Sequence, residues 1–287
     1  MRTRVISGIV IAVLLISAYC LMFTPVIDLL FSALAAAACF EITRVAGVKN
    51  LALRIVAIIF SGLLPLGIVY IHSVPVLEIC VVLYVILLVI LTVANFSRTT
   101  ITFPELAVTV YASLVIPAAF ATIGLISDMY LRYPSFISKA DCRLLLWITV
   151  ATALFTDVFA YFVGVRFGKH KMAPNLSPKK SWEGAVGGVV CVLIFMLLCL
   201  LFFEKVFAKQ PFFLPVWFYC ITVVFISITS MFGDLMASLI KRYYRVKDYS
   251  NLIPGHGGIM DRFDSVLLAS PTMYAFLLIY GTVVMGA

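Results

Sequence analysis

Nine long apolar runs, separated by polar segments, dominate this chain of 287 residues. A helix needs about 20 consecutive apolar residues to cross a bilayer. The residues AVILMFWYC make up 64% of the chain and the charged residues only 12%, which excludes an ordinary water-soluble domain. The sequence therefore predicts an all-α polytopic membrane protein with about nine transmembrane helices, at residues 5–23, 26–40, 55–71, 74–94, 106–126, 144–165, 185–203, 212–232 and 266–285.

The positive charges are distributed unevenly among the connections between these runs. The N-terminus and the even-numbered connections carry 16 of the 21 Lys and Arg residues. Positively charged connections stay preferentially on the cytoplasmic side of a membrane. We therefore expect a cytoplasmic N-terminus and a C-terminus outside, which requires an odd number of spans. This orientation also explains the net charge of +8, so the charge does not indicate nucleic-acid binding.

The chain is predicted to divide into two regions. Residues 1–140 form an N-terminal scaffold of about five spans with short connections, and its first apolar run is too long for the h-region of a signal peptide. Residues 141–287 hold the remaining spans and the two longest polar segments, 164–184 and 233–265. Charge counting predicts that both segments lie on the cytoplasmic face, so the chemistry is expected there.

Two aspartates are expected within or beside the predicted spans. Asp157 lies inside the sixth span and Asp234 lies at the end of the eighth. A charged group at the centre of a span costs on the order of 3 kcal/mol, so such residues usually face a bundle interior and serve a function. Pairing with a basic residue or helix capping is the alternative for both. Because both acids lie toward the predicted cytoplasmic ends of their helices, we expect them near one site.

The last polar segment combines cations, glycines and acids. Its basic stretch from Lys241 to Lys247 alone would fit a cluster that binds anionic lipid headgroups. Glycines surround His256, however, and they would let backbone N–H groups approach a ligand. Asp261 and Asp264 follow; if the ninth helix begins here, they share one face and suit Mg²⁺. The alternative is that these acids only favour the positive end of the helix dipole.

The other polar segment is predicted to bind an anion at the start of the seventh span. Ser181 is a good N-cap, and Lys179 and Lys180 precede it, so the helix N-terminus would attract a phosphate. A capped helix beside a positively charged connection is the alternative. The segment is not a P-loop, because the spacing of Gly164, Gly168 and Lys169 is wrong and no Ser or Thr follows the lysine.

Together these segments resemble the signature of the phosphatidate cytidylyltransferase (CDP-diacylglycerol synthase) family. The main motif reads Ser238-x-Ile240-Lys241-Arg242-x4-Lys247-Asp248-x-Ser250-x2-Ile253-Pro254-x-His256-Gly257-Gly258-Ile259-x-Asp261-Arg262-Phe263-Asp264. Two companion motifs read Asp157-x-x-Ala160-Tyr161-x-x-Gly164 and Ser177-Pro178-x-Lys180-Ser181-Trp182-Glu183-Gly184. The detailed match covers residues 157–265, and the first half agrees only in being a run of spans.

The resemblance implies the reaction CTP + phosphatidate → CDP-diacylglycerol + diphosphate, in phospholipid biosynthesis. It implies Mg²⁺ at Asp234 and Asp261 and a second cation such as K⁺. We add Asp264 as a further metal ligand. We assign catalytic roles to Asp234, Asp261, Lys247 and Asp248, and leave Asp157 and Asp248 as orienting carboxylates or second-cation ligands. The expected contacts to substrate phosphates are Lys180, Ser181, Lys241, Arg242, His256 and Arg262.

Two other functions stay open at this point. A CTP-dependent polyisoprenol kinase would use a hydroxyl acceptor, and an ion-coupled transporter would use Asp157 and Asp234 as ion ligands. The expected partners are CTP, phosphatidate and membrane lipid, without nucleic acid, and a homodimer is left open. The expected location is a bacterial inner membrane, with the active site facing the cytoplasm.

Overall fold

The protein is an integral membrane protein built almost entirely of helices. The structure, a computed structural model, describes residues 20–71, 73–94, 101–134, 137–206, 214–255 and 257–285. Within these ranges, eight helices are long and apolar enough to cross a membrane. They are α1 (Pro25–Val45), α2 (Leu51–Tyr70), α3 (Val74–Ala94), α4 (Phe103–Ser127), α6 (Lys139–Phe167), α7 (Trp182–Val206), α8 (Val216–Tyr243) and α10 (Val266–Met285).

The short elements complete the described chain. Helices α5 (Met129–Arg132) and α9 (Met260–Phe263) are one turn each, and strands β1 (Lys171–Ala173) and β2 (Ser177–Ser181) pair as an antiparallel hairpin. The predicted spans from the second to the ninth all correspond to helices. The predicted first span, 5–23, lies almost wholly outside the described residues, so the total of nine and the orientation stay predictions.

Two helices extend well beyond the ends predicted from the sequence. Helix α1 runs five residues past the predicted end at residue 40, to Val45, and α8 continues beyond residue 232 to Tyr243. Both extensions carry charged side chains, which a hydropathy window rejects although they are compatible with a helix. The last helix begins at Val266, the predicted first residue of the ninth span, after a turn in which Asp264 accepts a hydrogen bond from the N–H of Ser265. The ninth helix therefore does not begin at Asp261, which was the condition under which Asp261 and Asp264 were expected to share one of its faces.

The described chain forms two compact units. The first contains the residues up to Leu125 together with Tyr243–Arg262, and the second contains Ile126–Arg242 together with the residues from Phe263 onward. In the first unit, α1 packs along α2. The hydroxyl of Ser61 donates to the carbonyl of Ala35 at 3.0 Å, and that of Ser32 donates to the carbonyl of Gly62. Small residues at such interfaces allow close helix packing in lipid.

In the second unit, α6 packs along α7 through glycines. A Cβ added to Gly187 would lie 2.4 Å from a methyl carbon of Val163, and one added to Gly188 would lie 2.9 Å from the Cβ of Ala160. The backbones therefore approach too closely for larger residues at these positions. Helix α8 packs beside both α6 and α10, and the hydroxyls of Thr156 and Ser227 are hydrogen-bonded at 3.1 Å.

Candidate active site

A lysine of the hairpin joins two aspartates of the second unit. The Nζ atom of Lys180, on β2, lies 2.6 Å from Oδ2 of Asp234 on α8 and 3.6 Å from Oδ1 of Asp157 on α6. None of these side chains is fully exposed, so the charges interact in a partly desolvated place. The structure thus brings together three of the residues that the sequence nominated, from three separate elements.

The turn before α10 adds a third carboxylate and a hydroxyl to this group. Ser265 donates its hydroxyl to Oδ2 of Asp157 at 2.9 Å, and its backbone N–H to Oδ1 of Asp264 at 2.8 Å. Burial and the nearby carboxylate of Asp234 raise the pKa of Asp264 to about 7, although the Lys241 ammonium opposes the shift. The excess of acids over cations here therefore favours binding of either a proton or a cation.

A glycine of α8 permits the turn to approach. A Cβ at position 233 would lie 2.4 Å from the carbonyl oxygen of Asp264, closer than real Cβ contacts. Gly233 directly precedes Asp234 in the chain. The missing side chain therefore lets the backbone before α10 approach α8 beside the acid that binds Lys180.

A cavity of about 220 Å³ opens beside these charges. Its wall includes Asp157, Asp234, Lys180 and Ser181, and both polar and apolar residues complete it. The hydroxyl of Ser181 accepts a hydrogen bond from the N–H of Gly184 at 3.2 Å, so the predicted N-cap of α7 is confirmed. The remaining lining residues are Ala160, Tyr161, Met172, Ser177, Lys179, Gly184, Ala185 and Met231.

The hairpin is held in place from both of its sides. The carboxylate of Glu183, in the first turn of α7, accepts hydrogen bonds from the N–H groups of Lys169 and His170 at 3.0 and 3.1 Å, and lies 2.6 Å from Nδ1 of His170. Arg242 donates from Nε to the carbonyl of Leu176 at the hairpin tip, at 3.4 Å. These contacts fix β2 and hence the backbone of Lys180.

The glycine-rich loop, defined as residues 247–262, belongs to the first unit. Oδ2 of Asp261 accepts hydrogen bonds from the N–H groups of Tyr249, at 2.8 Å, and Gly258, at 3.0 Å. Gly257 has a φ of +84°, which glycine adopts without strain. Three predicted site residues of this loop, Lys247, Asp248 and Arg262, are exposed, and His256 lies outside the described residues. The carboxylate of Asp261 thus organises its own loop.

Glu41 is a residue that the sequence analysis missed. It is buried on α1 in the first unit, and its carboxylate accepts hydrogen bonds from the loop residues Ser250, Ile259 and Met260. The available signal was the position of this acid directly after the apolar run 26–40. It was overlooked because the connection that follows was interpreted only by its basic residues. Its partners lie more than 200 residues away in sequence, so pattern alone could not pair them.

The carboxylates of the second unit have the right chemistry for Mg²⁺, which binds one or two hard oxygen ligands and keeps several waters. Within the described ranges, no group of three or more His, Cys, Asp or Glu side chains is arranged to hold a metal ion. The raised pKa of Asp264 reflects unfavourable negative charge that a cation would relieve. Asp234 and Asp264 supply hard oxygen donors of the kind that Mg²⁺ binds together with phosphate oxygens and water.

Comparison with known proteins identifies the family. The chain matches the Cytidylyltransferase family over residues 2–280. It is 30% identical to the phosphatidate cytidylyltransferase of Bacillus subtilis (strain 168) over 285 residues, which are 98% of each protein. The phosphatidate cytidylyltransferase of Staphylococcus haemolyticus is 40% identical over 43% of this chain and 45% of its own length. That of Mycobacterium tuberculosis (strain H37Rv) is 43% identical over 39% of this chain and 32% of its own length. The chain therefore belongs to the cytidylyltransferase family.

Proposed function

We propose that this protein is a phosphatidate cytidylyltransferase, which converts CTP and phosphatidate to CDP-diacylglycerol and diphosphate. Family membership over nearly the whole chain supports the reaction class. The main structural support for the location of the active site is the contact of Lys180 with Asp234 and Asp157 at the wall of a cavity. This arrangement offers a cation for phosphate oxygens and carboxylates for a metal, side by side.

The proposed reaction is a phosphoryl substitution. An oxygen of the phosphatidate phosphate forms a bond to the α-phosphorus of CTP, while the bond from that phosphorus to the bridging oxygen of the diphosphate breaks. The attacking oxygen already carries negative charge near neutral pH, so no strong general base is needed. Catalysis then depends on positioning and on neutralising charge, which are the main contributions to phosphoryl transfer.

The basic side chains are proposed to bind the phosphates. Lys180 is held at the cavity by its hairpin, and Lys241 lies on the last turn of α8 in the same unit. Lys247 and Arg262 are exposed on the glycine-rich loop, so their charged groups are accessible to a nucleotide. The proposed phosphate contacts also include Ser181, Arg242 and His256, of which Ser181 already caps α7 through its hydroxyl.

The family resemblance implies that Asp234 and Asp261 are Mg²⁺ ligands, and Asp264 is proposed as a further ligand. When bound, Mg²⁺ neutralises charge on the phosphates and on the leaving diphosphate. Asp157 is proposed to orient Lys180, which it approaches at 3.6 Å, or to bind a second cation such as K⁺. Asp248, exposed on the loop, is proposed as a further orienting carboxylate.

We further propose that the protein lies in a bacterial inner membrane with this site on the cytoplasmic side. The charge distribution supports this orientation, because the connections that carry Lys180 and Lys247 belong to the positively charged set. A cytoplasmic site near the interface would meet both substrates, since CTP is soluble and the phosphatidate headgroup lies at the membrane surface.

The decisive experiment is an assay of the purified protein in detergent with phosphatidate, Mg²⁺ and CTP labelled at the α-phosphate. We expect the label in the lipid extract as a CDP-lipid, with release of diphosphate. A phosphorylated lipid together with labelled CDP would indicate the polyisoprenol kinase instead when a polyisoprenol is supplied. Ion flux in proteoliposomes without turnover of CTP would favour the transporter and contradict the proposal.

A further inference from the structure

A buried carboxylate on α1 binds both ends of the glycine-rich loop in the first unit. Only 2% of Glu41 is exposed. Its Oε1 atom accepts hydrogen bonds from the hydroxyl of Ser250 at 2.5 Å and the N–H of Ile259 at 3.0 Å, and Oε2 accepts from the N–H of Met260 at 2.9 Å. Hydrogen bonds to a charged acceptor are stronger than those between neutral groups, so the Glu41 carboxylate holds the loop strongly against α1.

The loop sequence is fitted to this carboxylate. A Cβ at position 258 would lie 2.5 to 2.7 Å from the carboxylate atoms of Glu41, so only glycine allows the backbone to come this close. On the other side, Asp261 accepts from the N–H groups of Tyr249 and Gly258. Two carboxylates therefore hold backbone N–H groups of a segment that has no long helix or strand of its own.

The loop between these attachments has no other regular support in the described residues apart from one isolated bridge, between Ile253 and Gly257. Residues 251, 252, 254 and 255 in the middle of the loop are exposed, and segments with few buried contacts open readily. Removing the Glu41 carboxylate would also leave the N–H groups of Ile259 and Met260 buried without an acceptor, which is unfavourable. The loop conformation thus depends on a residue of α1.

We propose that Glu41 is a positioning residue for the reaction. It acts through the glycine-rich loop, and it does not contact the substrates itself. This inference rests on the proposed function, in which Lys247, Asp261 and Arg262 of this loop act on phosphates and metal. Glu41 reduces the number of loop conformations, so that these groups are presented in place before CTP arrives.

The test compares Glu41→Gln with Asp28→Asn in the full-length protein in detergent. Both replace a buried acid on α1 with its amide, but Asp28 accepts a hydrogen bond from the hydroxyl of Tyr70 on α2, at 2.6 Å, and not from the loop. Hydrogen exchange by mass spectrometry is measured on peptides covering residues 249–260. We expect exchange at least roughly tenfold faster in Glu41→Gln and unchanged in Asp28→Asn, because one acceptor for the loop N–H groups becomes a donor.

Kinetics separate a positioning role from general destabilisation. We expect kcat/KM for CTP to fall roughly tenfold in Glu41→Gln and to stay near wild type in Asp28→Asn. A double-mutant cycle with Lys247→Ala is the sharper readout. If Glu41 acts through the loop that carries Lys247, the second substitution costs less in the Glu41→Gln background than in wild type. Strictly additive losses would show that Glu41 affects only overall stability and would overturn the proposal.

The remaining outcomes are also decisive. Unchanged exchange in Glu41→Gln, or faster exchange with unchanged turnover, overturns the positioning role. If Glu41→Gln fails to fold, Ser250→Ala removes one donor and leaves the carboxylate in place; we expect a smaller increase in exchange with a smaller loss of turnover, and no change in either contradicts the proposal. A wild-type protein without CTP turnover refutes the proposed function, whereas the exchange comparison still reports separately whether Glu41 holds the loop.

Discussion

The ammonium group of Lys180 lies 2.6 Å from a carboxylate oxygen of Asp234, which pairs a hairpin residue with a residue of a transmembrane helix. A phosphate that entered the adjoining cavity would compete with Asp234 for this ammonium. A divalent cation would likewise compete with Lys180 for the carboxylate. If both ligands bind here as proposed, we expect each to favour the other, because phosphate binding to Lys180 frees the Asp234 carboxylate and metal binding to Asp234 frees the Lys180 ammonium.

Replacing Lys180 with methionine tests this pair. We expect at least ~100-fold lower kcat/KM, because a preorganised charge at the reacting phosphates is lost. The assay is CDP-lipid formation from labelled CTP. The matched control is Lys171→Met, an exposed lysine on the neighbouring strand that does not line the cavity, and it should retain activity. Equal activity in both variants would exclude Lys180 from the site.

Asp234→Asn and Asp261→Asn should each remove most of the activity while the protein remains inserted in the membrane. The amide lacks the negative charge that a hard cation prefers. Activity is measured over a range of Mg²⁺ concentrations, together with membrane extraction and size-exclusion chromatography to establish that the protein is folded. Turnover near that of wild type in either variant would refute its assignment as a metal ligand.

Lys247→Ala should raise KM for CTP by roughly tenfold, because an exposed cation that binds phosphate is lost. Binding of Mg²⁺ should not be abolished. Lys49→Ala removes another exposed lysine of the first unit and is expected to leave the kinetics unchanged. If Lys247→Ala also behaves like wild type, its side chain is better assigned to binding of anionic lipid headgroups.

The glycine contact between α6 and α7 predicts a selective effect on stability. Gly187→Ala should lower the free energy of unfolding by ~1–3 kcal/mol, because the added Cβ would overlap the side chain of Val163. Gly281→Ala on α10 is the control, since nothing lies within 4 Å of a Cβ added there. Thermal unfolding in detergent measures both. A stability loss in Gly281→Ala equal to that in Gly187→Ala would contradict the packing argument.

The sequence predicted the membrane class and eight spans that the structure describes, because hydropathy reports directly whether a segment is stable in lipid. The same reasoning missed where α8 ends. Lys241 and Arg242 remain helical at the end of a span, and a hydropathy window cannot distinguish a helix that leaves the membrane from a loop. Asp261 and Asp264 were expected to share a face if the ninth helix began at these residues, but that helix begins at Val266, after a turn at Asp264 and Ser265.

The motifs also nominated Asp157, Lys180 and Asp234 individually, and the N-cap role of Ser181 followed from local chemistry. Only the tertiary structure decided that Lys180 lies between the two acids, and that Glu41 holds a loop more than 200 residues away in sequence. The reason is physical. Apolar periodicity and capping depend on neighbours along the chain, whereas these contacts arise from how separate helices pack, which composition and spacing do not encode.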